Sequence, residues 1–298
     1  MPSRFSDIPG LRVGHAEDER ARTGVTVILP DAPVVMAVDV RGGGPATRET
    51  DALRPHTLVE RVHGLVLSGG SMFGLAAADA VAVALSKAGV GLAAGPLPIP
   101  VIPAACLFDM ANGGDKAWDE PPFRALGRAA LANVDRPERT GAVGAGYGAT
   151  AGSRPGGIGS ACATAATGYR VGALVAVNSF GEVYRGSPPE GTIEMPKLAR
   201  VPSLANLHNT CIGVVATDAP ITRSQAERIA MMAHDGLARA IRPIHTPFDG
   251  DTLFALSTAP PDAGTVDALT IAILGTLAAD CVLRAVRQAV FGDGDGQS

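Results

Sequence analysis

Short β-branched runs and longer stretches of helical period succeed one another along the chain. Gly24-Val-Thr-Val-Ile-Leu29 and Val34-Val-Met-Ala-Val-Asp-Val40 predict two strands joined by the turn Pro30-Asp31-Ala32-Pro33. Val62 to Leu67 predicts a third, followed by Ser68-Gly69-Gly70-Ser71 and an alanine-rich helix ending near Gly89. Tyr169–Asn178, Thr210–Ala216 and Thr252–Ser257 read as further strands, the middle one buried. Thr222-x-x-Gln225 is a capping box, after which Ala226, Ile229, Ala230, Ala233, Leu237, Ala240 and Ile241 recur at helical spacing until Pro243. His234 and Asp235 fall on the other face of that helix and read as a solvated or polar-packed pair. A last helix, Val266–Val290, is apolar on most sides and is expected to be buried, and the Gly292–Ser298 tail to fray. Residues 90–140 say little. With no repeat and no linker, the alternation predicts one layered α+β (α/β) domain over residues 1–298.

Composition narrows the function classes. The chain has 298 residues, 46% hydrophobic and 18% charged, enough for a large core. A net charge of −4 without a Lys/Arg run argues against nucleic acid as a partner. The apolar stretches are interrupted or short and no apolar leader is visible, so no membrane partner and a cytoplasmic location are expected. Cys106, Cys162, Cys211 and Cys281 are scattered, which argues against a zinc site or a disulfide framework.

Two features carry candidate chemistry by themselves. Thr210 starts its strand behind a loop-like stretch, Gly181–His208, that contains Pro188, Pro189, Pro196 and Pro202. Cutting the Asn209–Thr210 bond would give Thr210 a free α-amine, of reference pKa about 7.7–8.0. Such an amine can serve as base for the hydroxyl of its own residue. The plainer reading is a threonine that begins an ordinary strand. Glycine loops are the second feature: Gly69-Gly70 ahead of a helix suits a carboxylate or oxyanion, or is only a turn. Gly144-x-Gly146-x-x-Ala149 matches a dinucleotide fingerprint in letters, but no clear strand precedes it and Pro155-Gly156-Gly157 follows where a helix should run.

Seven motifs in order resemble one family. They are Asp39-Val-Arg-Gly-Gly43, Thr47-Arg-Glu-Thr-Asp51, Ser68-Gly-Gly-Ser71 with Phe73-Gly-Leu75, Gly141 to Gly148, Asn209-Thr210, Ala233 to Ala240, and Phe248-Asp-Gly-Asp-Thr252. From Asp7 to the last helix the chain is similar to the L-aminopeptidase/D-esterase family, which includes β-peptidyl aminopeptidases and nylon-oligomer hydrolases. The resemblance implies an α-β-β-α sandwich, like that of N-terminal-nucleophile hydrolases but with different connectivity. It implies a precursor that cuts itself into Met1–Asn209 and Thr210–Ser298, no cofactor and no metal. A homo-oligomer, a tetramer of processed heterodimers, is expected.

Carried over by motif, Thr210 is the nucleophile, Asn178 helps hold the oxyanion, and Tyr147 lines the site. Asp249 and Asp251 orient the new ammonium; apart from the motif roles, Ser71, Met72, Phe73 and Tyr147 are the candidate walls of the substrate pocket. Many relatives have a Lys just before the Gly-Gly that here is Gly156-Gly157, where this chain has Arg154-Pro155, and Arg cannot act as a neutral base. Cys211 is a rival nucleophile. The implied activity is hydrolysis of small peptides, amino-acid amides or ω-amino-acid oligomers through an acyl-enzyme. An acyltransferase of the ornithine-acetyltransferase type and an unprocessed metabolite-binding scaffold are the alternatives.

Overall fold

Thr23–Pro30 is buried at every position and Arg170–Val177 at all but the first, so both runs need cover on two faces. The computed structural model, which describes residues 3–191 and 209–293, supplies it with two five-stranded sheets. In chain order the strands begin β1 (Leu11–Asp18), β2 (Thr23–Pro30), β3 (Val35–Val40), β4 (Ala46–Arg48), β5 (Leu65–Ser68) and β6 (Ala104–Cys106). They continue with β7 (Thr150–Ala151), β8 (Arg154–Pro155), β9 (Gly157–Thr164), β10 (Arg170–Val177) and β11 (Glu182–Val183). The last are β12 (Ile212–Thr217), β13 (Ile241–Arg242) and β14 (Thr252–Ser257). One sheet runs β1-β2-β5-β6-β4 and the other β3-β14-β12-β10-β9, while β7/β8 and β11/β13 form two-stranded pairs.

Ile28, Leu65 and Leu67 of the first sheet share a core with Leu174, Val214 and Phe254 of the second. On its other face the first sheet packs on helices α1 (Ala76–Lys87) and α2 (Phe123–Ala132) through Val25, Val66, Val81 and Phe123. The second packs on α3 (Arg223–Ala240) and α4 (Ala268–Phe291) through Val175, Val215, Ile229 and Val282. The result is the α-β-β-α order of layers.

Local chemistry explains the helix ends and their contact. Thr222 Oγ1 accepts the Gln225 N–H at 3.2 Å and Gln225 Oε1 accepts the Thr222 N–H at 2.9 Å, closing the capping box. A Cβ at Gly236 of α3 would lie 2.2 Å from the Ala279 carbonyl of α4, so the helices meet only with glycine there. By length and composition α4 could cross a bilayer, but Leu274, Ala278, Val282, Ala285 and Val286 are buried in the core.

Several boundaries differ from the sequence reading. The third strand begins at Leu65 rather than Val62, which makes only an isolated bridge to Val34. Leu11–Asp18 and Gly157–Thr164 are strands that the periodicity did not single out, because their small and charged residues blur the alternation. Asp235 is exposed while His234 is wholly buried, so the two do not form a pair. Most of the Pro-rich loop before Thr210, from 192 to 208, and the tail from 294 lie outside the described residues.

Candidate active site

Strand register gathers the chemistry at one end of the second sheet. Ala176 of β10 lies opposite Ile212 of β12, Ile212 opposite Thr252 of β14, and Thr252 opposite Val40 of β3. The end of β10 therefore leads into Asn178, while the entries to β12 and β14 place Thr210 and the Asp249–Asp251 loop beside it. β3 and β4 belong to different sheets, so the Arg41–Pro45 loop crosses over this edge. Its N–H groups donate to the Asp251 carbonyl from Arg41 (2.9 Å) and to the Asp249 carbonyl from Gly44 (2.8 Å). A Cβ at Gly42 would sit 2.3 Å from the Asp251 nitrogen, which is why this crossing requires glycine.

Thr210 is buried just before its strand, which starts at Ile212. Its N–H donates to the Asn178 carbonyl at 2.6 Å, and its hydroxyl donates to the Asn209 carbonyl oxygen at 2.6 Å. The same oxygen accepts the Gly250 N–H at 3.1 Å. A Cβ at Gly250 would approach Thr210 Oγ1 to 2.8 Å and the Gly44 carbonyl to 2.7 Å. A hydroxyl and a backbone donor thus converge on the carbonyl of the one peptide bond that the sequence singles out.

Asp249 and Asp251 are fully buried on either side of this bond. Asp249 bridges to Asn209 through the backbone, and its carboxylate accepts from Thr246 N–H (2.9 Å), Thr246 Oγ1 (2.6 Å) and Phe180 N–H (3.3 Å). Asp251 accepts from Cys211 N–H (2.8 Å), His245 N–H (3.1 Å) and His245 Nδ1 (2.9 Å). Burial, and then the charge of Asp251, raise the Asp249 pKa to about 6 against the pull of the Thr246 and Phe180 donors.

That shift predicts a pH dependence of stability. Between about pH 4 and 6 the native state keeps a proton on Asp249 that the unfolded chain has released. The stabilisation is full below the ordinary carboxyl value and is lost as pH rises through about 6. In an uncut Thr210→Ala background, Asp249→Asn should gain about 2–3 kcal/mol on its parent between pH 4 and pH 7. Denaturant unfolding at the two pH values measures this; equal differences at both would contradict it.

The remaining residues fall as follows. Asn178 is buried; its Nδ2 donates to the Phe108 carbonyl (2.9 Å) and its Oδ1 accepts the Thr150 N–H (2.8 Å). The donor aligned on the Asn209 carbonyl is instead Gly250 N–H, which the sequence reading did not name. Tyr147 is half-buried, three residues before Thr150. The Leu107 carbonyl accepts the Ser71 N–H at 2.9 Å, so Ser71, Met72 and Phe73 sit one residue along from the Phe108 contact of Asn178. Met72 and Phe73 are 68% and 45% exposed.

Gly70 donates its N–H to the chain's own Asp109 carboxylate at 2.8 Å, which occupies the anion position that the glycine turn suggested. Gly144 is compelled by His15 and Thr26: a Cβ there would lie 2.5 Å from His15 Nδ1 and 2.2 Å from Thr26 Oγ1. Burial, then Asp251 and Asp249, push the Cys211 thiol far up, so it stays protonated and is no rival nucleophile. Arg154 is exposed with its guanidinium over the Phe291 ring at 5.4 Å.

The sequence matches the model of Peptidase family S58 over residues 4–294. The chain belongs to peptidase family S58. This S58 chain is 42% identical to a protein of Mycobacterium tuberculosis named as an uncharacterized aminopeptidase, covering 96% of this chain and 93% of that one. It is 28% identical to the 6-aminohexanoate-oligomer endohydrolase of Paenarthrobacter ureafaciens, over 95% of this chain and 84% of that enzyme. Among solved structures it superimposes on Burkholderia sp. beta-aminopeptidase with TM-score 0.75 and 27% identity, over 97% of this chain and 87% of that one. The L-aminopeptidase D-Ala-esterase/amidase of Ochrobactrum anthropi, described as a variant among the Ntn hydrolase fold, gives TM-score 0.73 at 23% identity, over 97% and 86%. The resemblance drawn from the seven motifs is borne out, and with it the sandwich fold. The S58 chain is a member of an aminopeptidase and amide-hydrolase family.

Proposed function

We propose that the protein cuts its own Asn209–Thr210 bond and then hydrolyses amide bonds of small peptides, amino-acid amides or ω-amino-acid oligomers with Thr210 as N-terminal nucleophile. The observation that carries this reading is the pair of donors on the Asn209 carbonyl, Thr210 Oγ1 at 2.6 Å and Gly250 N–H at 3.1 Å. In the first stage Oγ1 bonds to the Asn209 carbonyl carbon and gives up its proton, while Gly250 N–H holds the oxyanion. The C–N bond then breaks as the Thr210 nitrogen takes the proton that Oγ1 released, leaving an ester. Water opens the ester to the Asn209 carboxylate and restores the hydroxyl.

In the second stage the free Thr210 amine takes the Oγ1 proton as substrate is attacked and passes it to the leaving amine; water then cleaves the acyl ester on Oγ1, releasing the acid and restoring the hydroxyl. The substrate carbonyl takes the position that Asn209 vacates, so the Gly250 donor serves both stages. The buried carboxylates of Asp249 and Asp251 favour an ammonium at Thr210 and hold it in place. Names of relatives support the substrate class: an aminopeptidase, a beta-aminopeptidase and an endohydrolase of 6-aminohexanoate oligomers. A cytoplasmic location and an assembly of several processed copies complete the proposal.

Intact mass and N-terminal sequencing of the purified protein test it. Two chains, 1–209 and 210–298, are expected, the second beginning at Thr210. A chain that stays whole on prolonged incubation, or a new N-terminus elsewhere, refutes it. Adding an acceptor amine separates hydrolysis from acyl transfer, the latter giving a new amide in place of the free acid.

A further inference from the structure

Behind the carboxylate pair lies a polar chain that the two stages above do not use. His245 holds its backbone at φ +57°, the left-handed region, and so aims both its N–H and its Nδ1 at the same Asp251 oxygen. Its ring meets that of His234 edge to face, with centroids 4.9 Å apart. His234, wholly buried on α3, has Nε2 at 3.0 Å from the Asp39 carbonyl and at 3.7 Å from the Asp39 carboxylate. Asp39 is paired to Arg41 at 2.7 Å. Cys211 from the entry to β12, Asp249 from the same loop, His234 from α3 and Asp39 with Arg41 from the end of β3 are the titratable and charged groups around His245 and Asp251.

The partners of the two carboxylates differ in kind. Among the described residues, every hydrogen-bond partner of the Asp251 carboxylate is a nitrogen: the N–H groups of Cys211 and His245, and His245 Nδ1. A proton on Asp251 would have no acceptor unless the imidazole gave up its Nδ1 hydrogen. Asp249 faces the Thr246 hydroxyl at 2.6 Å, which can turn and accept. A carbonyl can only accept, so His234 Nε2 carries hydrogen on the Asp39 oxygen; burial lowers its pKa to about 4 and keeps it neutral against the His245 ring.

We propose that His245 is a positioning residue: its Nδ1–H, with the ring braced by His234, keeps the negative charge of the pair on Asp251 and leaves the shared proton to Asp249. Its consequence for catalysis rests on the Thr210 reading given above; the charge assignment does not. Below about pH 6 the pair then presents one fixed anion and one proton-carrying acid, and above it two carboxylates beside the new ammonium, rather than a proton shuttling between two acids.

Infrared titration of uncut Thr210→Ala protein reads the assignment directly. A protonated-carboxyl signal lost through about pH 6 should be missing in Asp249→Asn, while the buried Asp109, whose pKa burial also raises, is subtracted with an Asp109→Asn control. His245→Gly, which relaxes the backbone and removes the donor, should add a second protonated-carboxyl band that Asp251→Asn abolishes. His245→Asn, which tolerates the left-handed backbone and keeps a donor in place, should restore the single band. In processed enzyme the acid limb of kcat/KM should rise by about one pH unit in His245→Gly with KM little changed, and return in His245→Asn.

An unchanged band pattern in His245→Gly, or an Asn variant that behaves like Gly, overturns the proposal. Nitrogen NMR of the unaltered protein is independent of any variant: a neutral His245 carrying its hydrogen on Nε2 would also overturn it. If the chain is never cut at Thr210, that reading fails while the band pattern still decides His245.

Discussion

Thr210→Ala should leave one intact chain of 298 residues, with amide hydrolysis lowered on the order of 10⁴-fold or more. The change deletes the only oxygen that both faces the Asn209 carbonyl and belongs to the residue that would become N-terminal. It should spare the fold, because the Asn209 carbonyl still accepts the Gly250 N–H and the Thr210 N–H still donates to Asn178. Thr210→Ser restores the oxygen and should restore both cutting and turnover. Mass spectrometry, an amide-hydrolysis assay and a melting curve read the three properties separately. An alanine variant that is cut or active, or a serine variant that is neither while folded, would exclude Thr210 as nucleophile.

Gly250→Ala is expected to have the second-largest effect, and for a different reason. The new methyl carbon would lie 2.8 Å from Thr210 Oγ1, 2.7 Å from the Gly44 carbonyl and 3.0 Å from Pro45 Cα. Two of these neighbours are backbone in a crossing loop that Gly42 and Gly44 already bind tightly, so relief must come from moving Thr210 or residue 250 itself. Either movement breaks the alignment of hydroxyl, donor and carbonyl. Losing one oxyanion donor costs about 3–4 kcal/mol of barrier, or roughly 10²–10³ in rate. Overpacking should also destabilise the fold by about 1–3 kcal/mol. Self-cleavage should therefore slow by about that factor, measured as the half-time of the uncut band, with a lowered melting temperature. Cleavage at the parent rate would mean that the Gly250 N–H does not hold the oxyanion.

Much of the fold was legible in local pattern. Thr222-x-x-Gln225 names its own capping geometry, and the period of Ala226–Ile241 names its buried face, because both depend on neighbours within a few residues. The β-branched runs became strands within a few residues of the expected limits. Strands β1 and β9 escaped because glycine, histidine and acidic residues interrupt them, and their burial comes from distant helices and strands. The resemblance pointed to Thr210, Asn178, Asp249 and Asp251 as a set, and the register of β10, β12 and β14 brings them together.

The sequence alone determined the β-branched strands and the long helices of clear period, that they alternate in layers, and which residue types could carry the chemistry. Only the tertiary structure decided that Gly250 supplies the donor on the Asn209 carbonyl, that Asn178 spends its side-chain amide on Phe108, and that His245 and His234 back the carboxylates. The physical reason is separation. Periodicity and capping are set by residues within a turn or two, whereas hydrogen-bond direction at the site depends on chain segments that meet from up to about two hundred residues apart.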